Sequence, residues 1–203
     1  MKLYYKPGAC SLASHIILKE IGSDFEIESV DTDNQITESG ADFSRINPKG
    51  YVPVLMLDDQ NILTEGAAIL QYLADQNPQA GLVPEPGTLE RTHLHEQLNY
   101  ISTELHKAFG PLFTSNSSDE EKQNAKKSVA RKMDYFESIF SDGRKYLLGN
   151  NFTVADAYLF VVSSWTNPTG IGLENWPMIS AYSSHIAKRP KVQNAMRDEG
   201  LLN

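Results

Sequence analysis

The sequence predicts an α/β unit followed by an all-helical one, on three observations. Short apolar strand-like runs alternate with helical runs up to about residue 76. The segment 77–87, Asn-Pro-Gln-Ala-Gly-Leu-Val-Pro-Glu-Pro-Gly, concentrates prolines and glycines and reads as a linker. Nearly everything beyond it has helical periodicity. Charge divides the same way: residues 1–80 carry 5 Lys/Arg and 12 Asp/Glu, residues 81–203 carry 13 and 14. The expected domains are therefore 1–80 and 87–203.

Each element has its own signal. Lys2 to Lys6 reads as a strand. Ser11 to Ile21, with Leu12, Ile16, Ile17 and Leu18 apolar and Gly22 just beyond, reads as a helix with a glycine stop. Phe25, Ile27 and Val30 alternate with Glu26 and Glu28 and predict a strand. The polar segment 32–51 has no clear pattern. Val52 to Leu57 reads as a strand, Asp58 to Asn61 as a turn, and Ile62-Leu63 as a second short strand. Thr64 is placed as the N-cap of a helix through about Asp75. This β-α-β-(weak helix)-β-β-α order, with its late tight hairpin, fits a thioredoxin-like unit better than a doubly wound sheet. In the second half, helical patterns run over about 88–113 and 118–142. A third begins at Thr153-Val154-Ala155-Asp156, which resembles a capping box with Asp in place of Glu. A last helix precedes Arg189-Pro190.

Composition narrows the function. A chain of 203 residues has ample material for a core. Its formal charge of −8 and lack of a basic block argue against DNA or RNA as partner. A single cysteine argues against a disulfide-built scaffold. The opening Met1 to Pro7 has no apolar signal core, and no run approaches the roughly 18 apolar residues of a membrane helix. These features predict a cytoplasmic protein that does not associate with membranes.

The single cysteine, Cys10, stands where the first strand gives way to the first helix. A helix start directs unpaired N–H groups at such a thiol and favours the reactive thiolate. Without a second cysteine (position 13 is Ala13), Cys10 cannot run internal dithiol chemistry. It reads either as a thiol that works with a small external thiol or as a small buried hydrophobe. His93 and His95, at i and i+2 on a helix, diverge and have no ligand set beside them, so no metal site is expected.

Tyr5 with Cys10-Ser11, then Asn47-Pro48-Lys49-Gly50-Tyr51-Val52-Pro53, then Thr64-Glu65-Gly66, ahead of an all-helical second half, resemble the glutathione transferase family. Cys10 and Glu104-Leu105-His106-Lys107 resemble its bacterial beta class. The resemblance implies the glutathione transferase fold, glutathione as co-substrate, no metal, small electrophilic substrates and a homodimer. It implies Cys10, His106 and Tyr5 as catalytic residues. It implies glutathione contacts at Cys10, Gln35, Val52, Pro53, Glu65, Gly66, Asn99, Thr103, Glu104, Leu105, His106 and Lys107, with Asn99 reaching from the neighbouring subunit. A cis peptide before Pro53 would turn the Val52 backbone toward the cysteinyl part of glutathione. The γ-glutamyl head would meet Glu65 and the Gly66 N–H. Asn99, Thr103 and His106 fall at i, i+4 and i+7, and the resemblance brings that helix beside Cys10 with His106 as general base. Gln35 replaces a lysine that some relatives direct at the glycyl carboxylate, a loss that Lys49 or Lys107 would partly offset. Phe109, Phe113 and Trp165 are candidate walls of the acceptor pocket. The expected activity is conjugation of glutathione to electrophiles in detoxification. Two rivals are a thiol-disulfide transferase or peroxidase in which Cys10 itself turns over, and a noncatalytic ligand-binding member of the fold.

Overall fold

The computed structural model describes residues 1–202, and its first unit is built on a five-stranded sheet in the order β3-β2-β1-β4-β5. The strands are β1 (Lys2–Tyr5), β2 (Glu26–Asp31), β3 (Ile36–Thr37), β4 (Val54–Met56) and β5 (Ile62–Thr64). β1 and β2 are parallel, joined through helix α1 (Ser11–Ile21). The remaining pairs, β1 with β4, β4 with β5 and β2 with β3, are antiparallel.

This topology sets three chain segments at one edge of the sheet. β5 runs in the direction of β1, because each is antiparallel to β4. Helix α1 starts beyond the end of β1, and α3 (Gly66–Asp75) starts beyond the end of β5. β4 enters from that same edge, so Val52-Pro53 lies there too. One face of the sheet buries Tyr4, Val30, Val52 and Val54 against Phe43 of the short helix α2 (Phe43–Ile46).

Several expectations shift. Thr64 pairs with Val54 in the ladder, so it closes β5, and the cap position of α3 falls to Glu65. β4 begins only after Pro53, which has no N–H for a ladder. The patternless segment 32–51 holds β3 and α2, which are too short to show a period.

Residues from 188 onward pack in the first unit, together with residues 1–83, although they come after the helical half. A terminal helix spans Pro190–Asp198 with Pro190 as its first residue, the start signal that ends the preceding helix. Val192 and Ala195 of this helix are fully buried. Arg189 pairs with Glu20 at 2.8 Å and Lys19 with Asp198 at 2.6 Å.

The second unit, residues 84–187, is helical. The expected helix over 88–113 is divided into α4 (Leu89–Tyr100), a π-helical turn (Ile101–Leu105), α5 (His106–Ala108) and α6 (Gly110–Phe113). Then come α7 (Asp119–Phe140), α8 (Val154–Ser164) and α9 (Pro177–Ala187). α8 is buried along almost its whole length. The capping box between Thr153 and Asp156 is formed. The Asp156 carboxylate, fully buried, accepts from the Leu147 N–H at 2.7 Å, from the Thr153 N–H and O–H, and from the Tyr182 hydroxyl at 3.2 Å. Burial nonetheless outweighs these bonds and pushes its pKa up to about 6. Asp156→Ala would strand the buried donors of Leu147 and Thr153, while the Tyr182 hydroxyl keeps the Asp156 backbone carbonyl as acceptor. Its expected cost is about 3 kcal/mol of stability, read by urea unfolding, against less than about 0.5 kcal/mol for the exposed Asp119→Ala control.

Candidate functional site

At the shared sheet edge of the first unit, Cys10 occupies the cap position of α1, and its Sγ donates to the Val52 carbonyl at 3.4 Å. The Val52–Pro53 peptide is cis. A Cβ placed on Gly66 would lie 3.7 Å from Pro53 Cγ. Cys10, Val52, Pro53 and Gly66 thus form a continuous strip from the start of α1 to the start of α3. The Ala68 and Ile69 N–H groups both donate to the Glu65 carbonyl. The Gly66 and Ala67 N–H groups therefore lie ahead of the first helical bond of α3, as anion-binding donors at a helix start do.

Glu65 has φ of +67°, in a region that side chains with a Cβ rarely adopt. Its Oε1 accepts from Lys49 Nζ at 2.6 Å and from the Tyr51 hydroxyl at 2.7 Å. These bonds raise the pKa of both Lys49 and Tyr51. Lys49 is therefore directed at a carboxylate, and the sequence reading of it as a stand-in for a lysine at position 35 does not match its partners.

Gln35 is an internal brace. Its Nε2 donates to the carbonyls of Thr32 at 2.5 Å and Gly50 at 2.9 Å, tying the turn after β2 to the loop before β4. Its Oε1 is buried without a hydrogen-bond partner. Its donors are thus spent on backbone, and the group left is an acceptor, which does not attract a carboxylate. Tyr5 is buried, with its ring 6.2 Å from that of His15, and desolvation raises its phenol pKa. It sits as a core residue with a protonated hydroxyl. The loop before Cys10 has an anchor that no local spacing announces. The Gly8 N–H donates to Glu199 Oε2 at 3.0 Å, and Glu199 Oε1 lies 3.0 Å from His15 Nδ1.

In the second unit the π turn alters the expected face. The His106 N–H bonds to the Ile101 carbonyl, five residues back, which widens the turn and rotates the residues after it. Asn99, Thr103, Glu104 and Lys107 are exposed, Leu105 is fully buried, and His106 is half-buried. The Thr103 hydroxyl bonds back to the Asn99 carbonyl at 2.9 Å, and Glu104 pairs with Lys132 at 2.8 Å. The side chain of Leu105 therefore serves the core.

His106 Nδ1 lies 2.8 Å from the hydroxyl of the buried Tyr158, and its ring packs edge-on to Trp165 at 4.8 Å. Burial, with a smaller contribution from the Lys107 charge, pushes its pKa down to about 4. The ring is neutral at physiological pH and is a weaker base than the ordinary histidine that the sequence suggested. Phe109 and Phe113 join the cluster, with ring centroids 5.6 and 5.5 Å from Trp165. Phe109 is fully buried and backs Trp165, whereas Phe113 is 56% exposed and is the residue of this cluster that presents an open ring. The partnership of His106 with Tyr158, and those of Glu65 with Lys49 and Tyr51, were not legible in the sequence.

A mixed sheet with a cysteine at its first helix start, followed by a helical unit, defines a thiol-handling protein of thioredoxin-like build. The family models described as "Glutathione S-transferase, N-terminal domain" and "Glutathione S-transferase, C-terminal domain" match residues 8–76 and 100–190. Glutathione S-transferase GstA of Escherichia coli O157:H7 is 46% identical over 201 residues, spanning 99% of this chain and 100% of the relative. A bacterial beta class enzyme of Sphingomonas chungbukensis superimposes with a TM-score of 0.97 at 46% identity over the whole of both chains. A sphingomonad glutathione S-transferase complexed with glutathione gives 0.95 at 47% identity, over 99% of this chain and 100% of that one. The chain belongs to the glutathione S-transferase family.

The half-buried, neutral His106 has a signature in acid. Its folded pKa lies below its ordinary 6.5, so its contribution to stability is complete above pH 6.5 and is lost as pH falls through about 4. Urea unfolding at pH 7.5 and 4.5 is expected to show a larger acid loss in the wild type than in His106→Gln.

Proposed function

We propose that the protein conjugates the thiolate of glutathione to small electrophiles. The observation that carries this reading is the strip formed by Cys10, Val52, Pro53 and Gly66, with two helix starts at one sheet edge. Glutathione bound along it places its cysteinyl backbone on Val52 as an added strand. Its γ-glutamyl carboxylate lies at the start of α3, on the Gly66 N–H, and its ammonium lies on Glu65. Its sulfur lies toward Cys10 at the start of α1, where the helix end favours the charged thiolate. Cys10 then acts as a hydrogen-bond donor to that sulfur, exchanging the Val52 carbonyl for a better acceptor.

In the reaction, the glutathione thiol releases its proton to solvent water, and the resulting thiolate sulfur attacks the electrophilic carbon. A C–S bond forms as the leaving group departs with its electron pair. His106 participates as a neutral group. With the Tyr158 hydroxyl donating to Nδ1, its Nε2 carries a proton and supplies an N–H donor rather than a base. The acceptor substrate packs on Phe113 and Trp165, with Phe109 as their support. Tyr5 and Gln35 hold the scaffold, and Asn99, Thr103, Glu104 and Lys107 offer exposed polar groups to glutathione. Asn99 serves a second copy of the chain in a homodimer. The role is detoxification of electrophiles in the cytoplasm. Among the described residues no helix is long and apolar enough to cross a membrane, and no cluster of three or more His, Cys, Asp or Glu fits a metal.

The test is the initial rate of glutathione conjugation to chlorodinitrobenzene, with glutathione varied, for wild type and Cys10→Ala. The expected result is saturable activity in both, reduced in the variant by about tenfold or less, the loss of one hydrogen bond to the thiolate. Activity abolished in the variant alone would make Cys10 the reacting thiol and favour disulfide exchange. No activity in either protein would overturn the reading.

A further inference from the structure

Two side chains of one loop converge on a single atom of Glu65. The loop between α2 and β4 is tightly framed. The buried Asn47 donates through Nδ2 to the Tyr51 carbonyl at 2.7 Å, and its Oδ1 accepts the Lys49 N–H at 3.1 Å. The Gly50 N–H donates to the Asn47 carbonyl, and Gln35 holds the Gly50 carbonyl. Gly50 has φ of +74°, and a Cβ there would meet Gln35 Oε1 at 3.1 Å, so the brace also requires a glycine. From this frame Lys49 Nζ reaches Glu65 Oε1 at 2.6 Å and Thr64 Oγ1 at 3.0 Å. Tyr51 reaches the same Oε1 at 2.7 Å.

Glu65 needs such support. Its carboxylate stands on a residue of positive φ, 56% exposed, at the cap position of α3. An exposed carboxylate of this kind samples several rotamers, and ordering it on binding would cost affinity. A carboxylate has about four acceptor sites. Lys49 and Tyr51 take two of them on one oxygen, and the orientation this imposes is compatible with a further donor.

We propose that Lys49 and Tyr51 are positioning residues for glutathione. They hold the Glu65 carboxylate in the orientation in which it receives the γ-glutamyl ammonium, and Lys49 also ties it to the end of β5. The proposal rests on the conjugating function. Lys49 in this role precedes the ligand and does not compete with it, although both are cations on one carboxylate.

The experiment measures the glutathione KM in the conjugation assay, and the Kd by calorimetry, for wild type, Lys49→Met, Lys49→Arg and Tyr51→Phe. Each variant is first checked for native circular dichroism and unfolding midpoint. Lys49→Met is expected to raise KM and Kd for glutathione by about fivefold, with kcat unchanged at saturating glutathione. Lys49→Arg is expected to stay within about twofold of wild type, and Tyr51→Phe to raise KM by about threefold. A glutathione analogue lacking the γ-glutamyl amino group discriminates positioning from general loop support. Wild type and Lys49→Met are expected to bind it alike, because Lys49 acts through the ammonium site. Equal weakening toward the analogue, an unchanged glutathione KM, or tighter binding by Lys49→Met would each overturn the proposal, the last by showing competition. Wild type that binds no glutathione would overturn the function reading itself and this proposal with it.

Discussion

The direction of the strands around β4 is the constraint on which the rest of the first unit depends. Because β4 runs antiparallel to both neighbours, β1 and β5 end at the edge where β4 begins. Each is followed by a helix, so two helix starts with their unsatisfied N–H groups open onto one edge. That edge also receives Val52-Pro53 as the chain enters β4. A thiol, the backbone leading into β4 and two helix starts are thereby assembled without a long loop. The side chains then need only modest placement, which the Cys10 contact with the Val52 carbonyl and the Gly66 approach to Pro53 display.

Around this edge the fold spends polar groups on rigidity. Gln35 fastens two backbone carbonyls, Asn47 closes its own loop, and Glu199 bridges Gly8 and the buried His15. Glu199 ties down the loop just before Cys10, while Gln35 and Asn47 tie down the loop that carries Lys49 and Tyr51 to Glu65. A binding site for a small flexible tripeptide gains from such pre-organisation, since every rotamer fixed in advance is not fixed at the expense of affinity. The positive φ of Glu65 persists in the same way, through a surround that over-determines it.

The second unit shows how burial redirects chemistry. His106 and Asp156 are both titratable groups drawn away from water, and burial favours the neutral form of each. For Asp156 the neighbouring donors make the carboxyl a structural hub for α8 and for the segment before it. For His106 the outcome is a neutral ring among aromatic neighbours, suited to donating a hydrogen bond. The same physics thus leaves Asp156 a hub of hydrogen bonds and His106 a neutral, weakly basic ring.

The contribution of the sequence by itself is local. The α1 helix from Ser11 to Ile21, its stop at Gly22 in the left-handed region, the capping box of Thr153 and Asp156, and the position of Cys10 at a helix start are set by residues within a few positions of one another. Their signals are propensities, caps and periodicities, which act over one or two turns. The short β3 and α2 escaped because two and four residues are too few for a period to register. The tertiary structure alone decided that Lys49 and Tyr51 would meet at Glu65, that Gln35 would face inward, that Glu199 would hold a loop 191 residues earlier, and that His106 would lose its ordinary basicity. The reason is physical: partners distant in the chain are brought together by packing, and burial is a property of the assembled core that no local window contains.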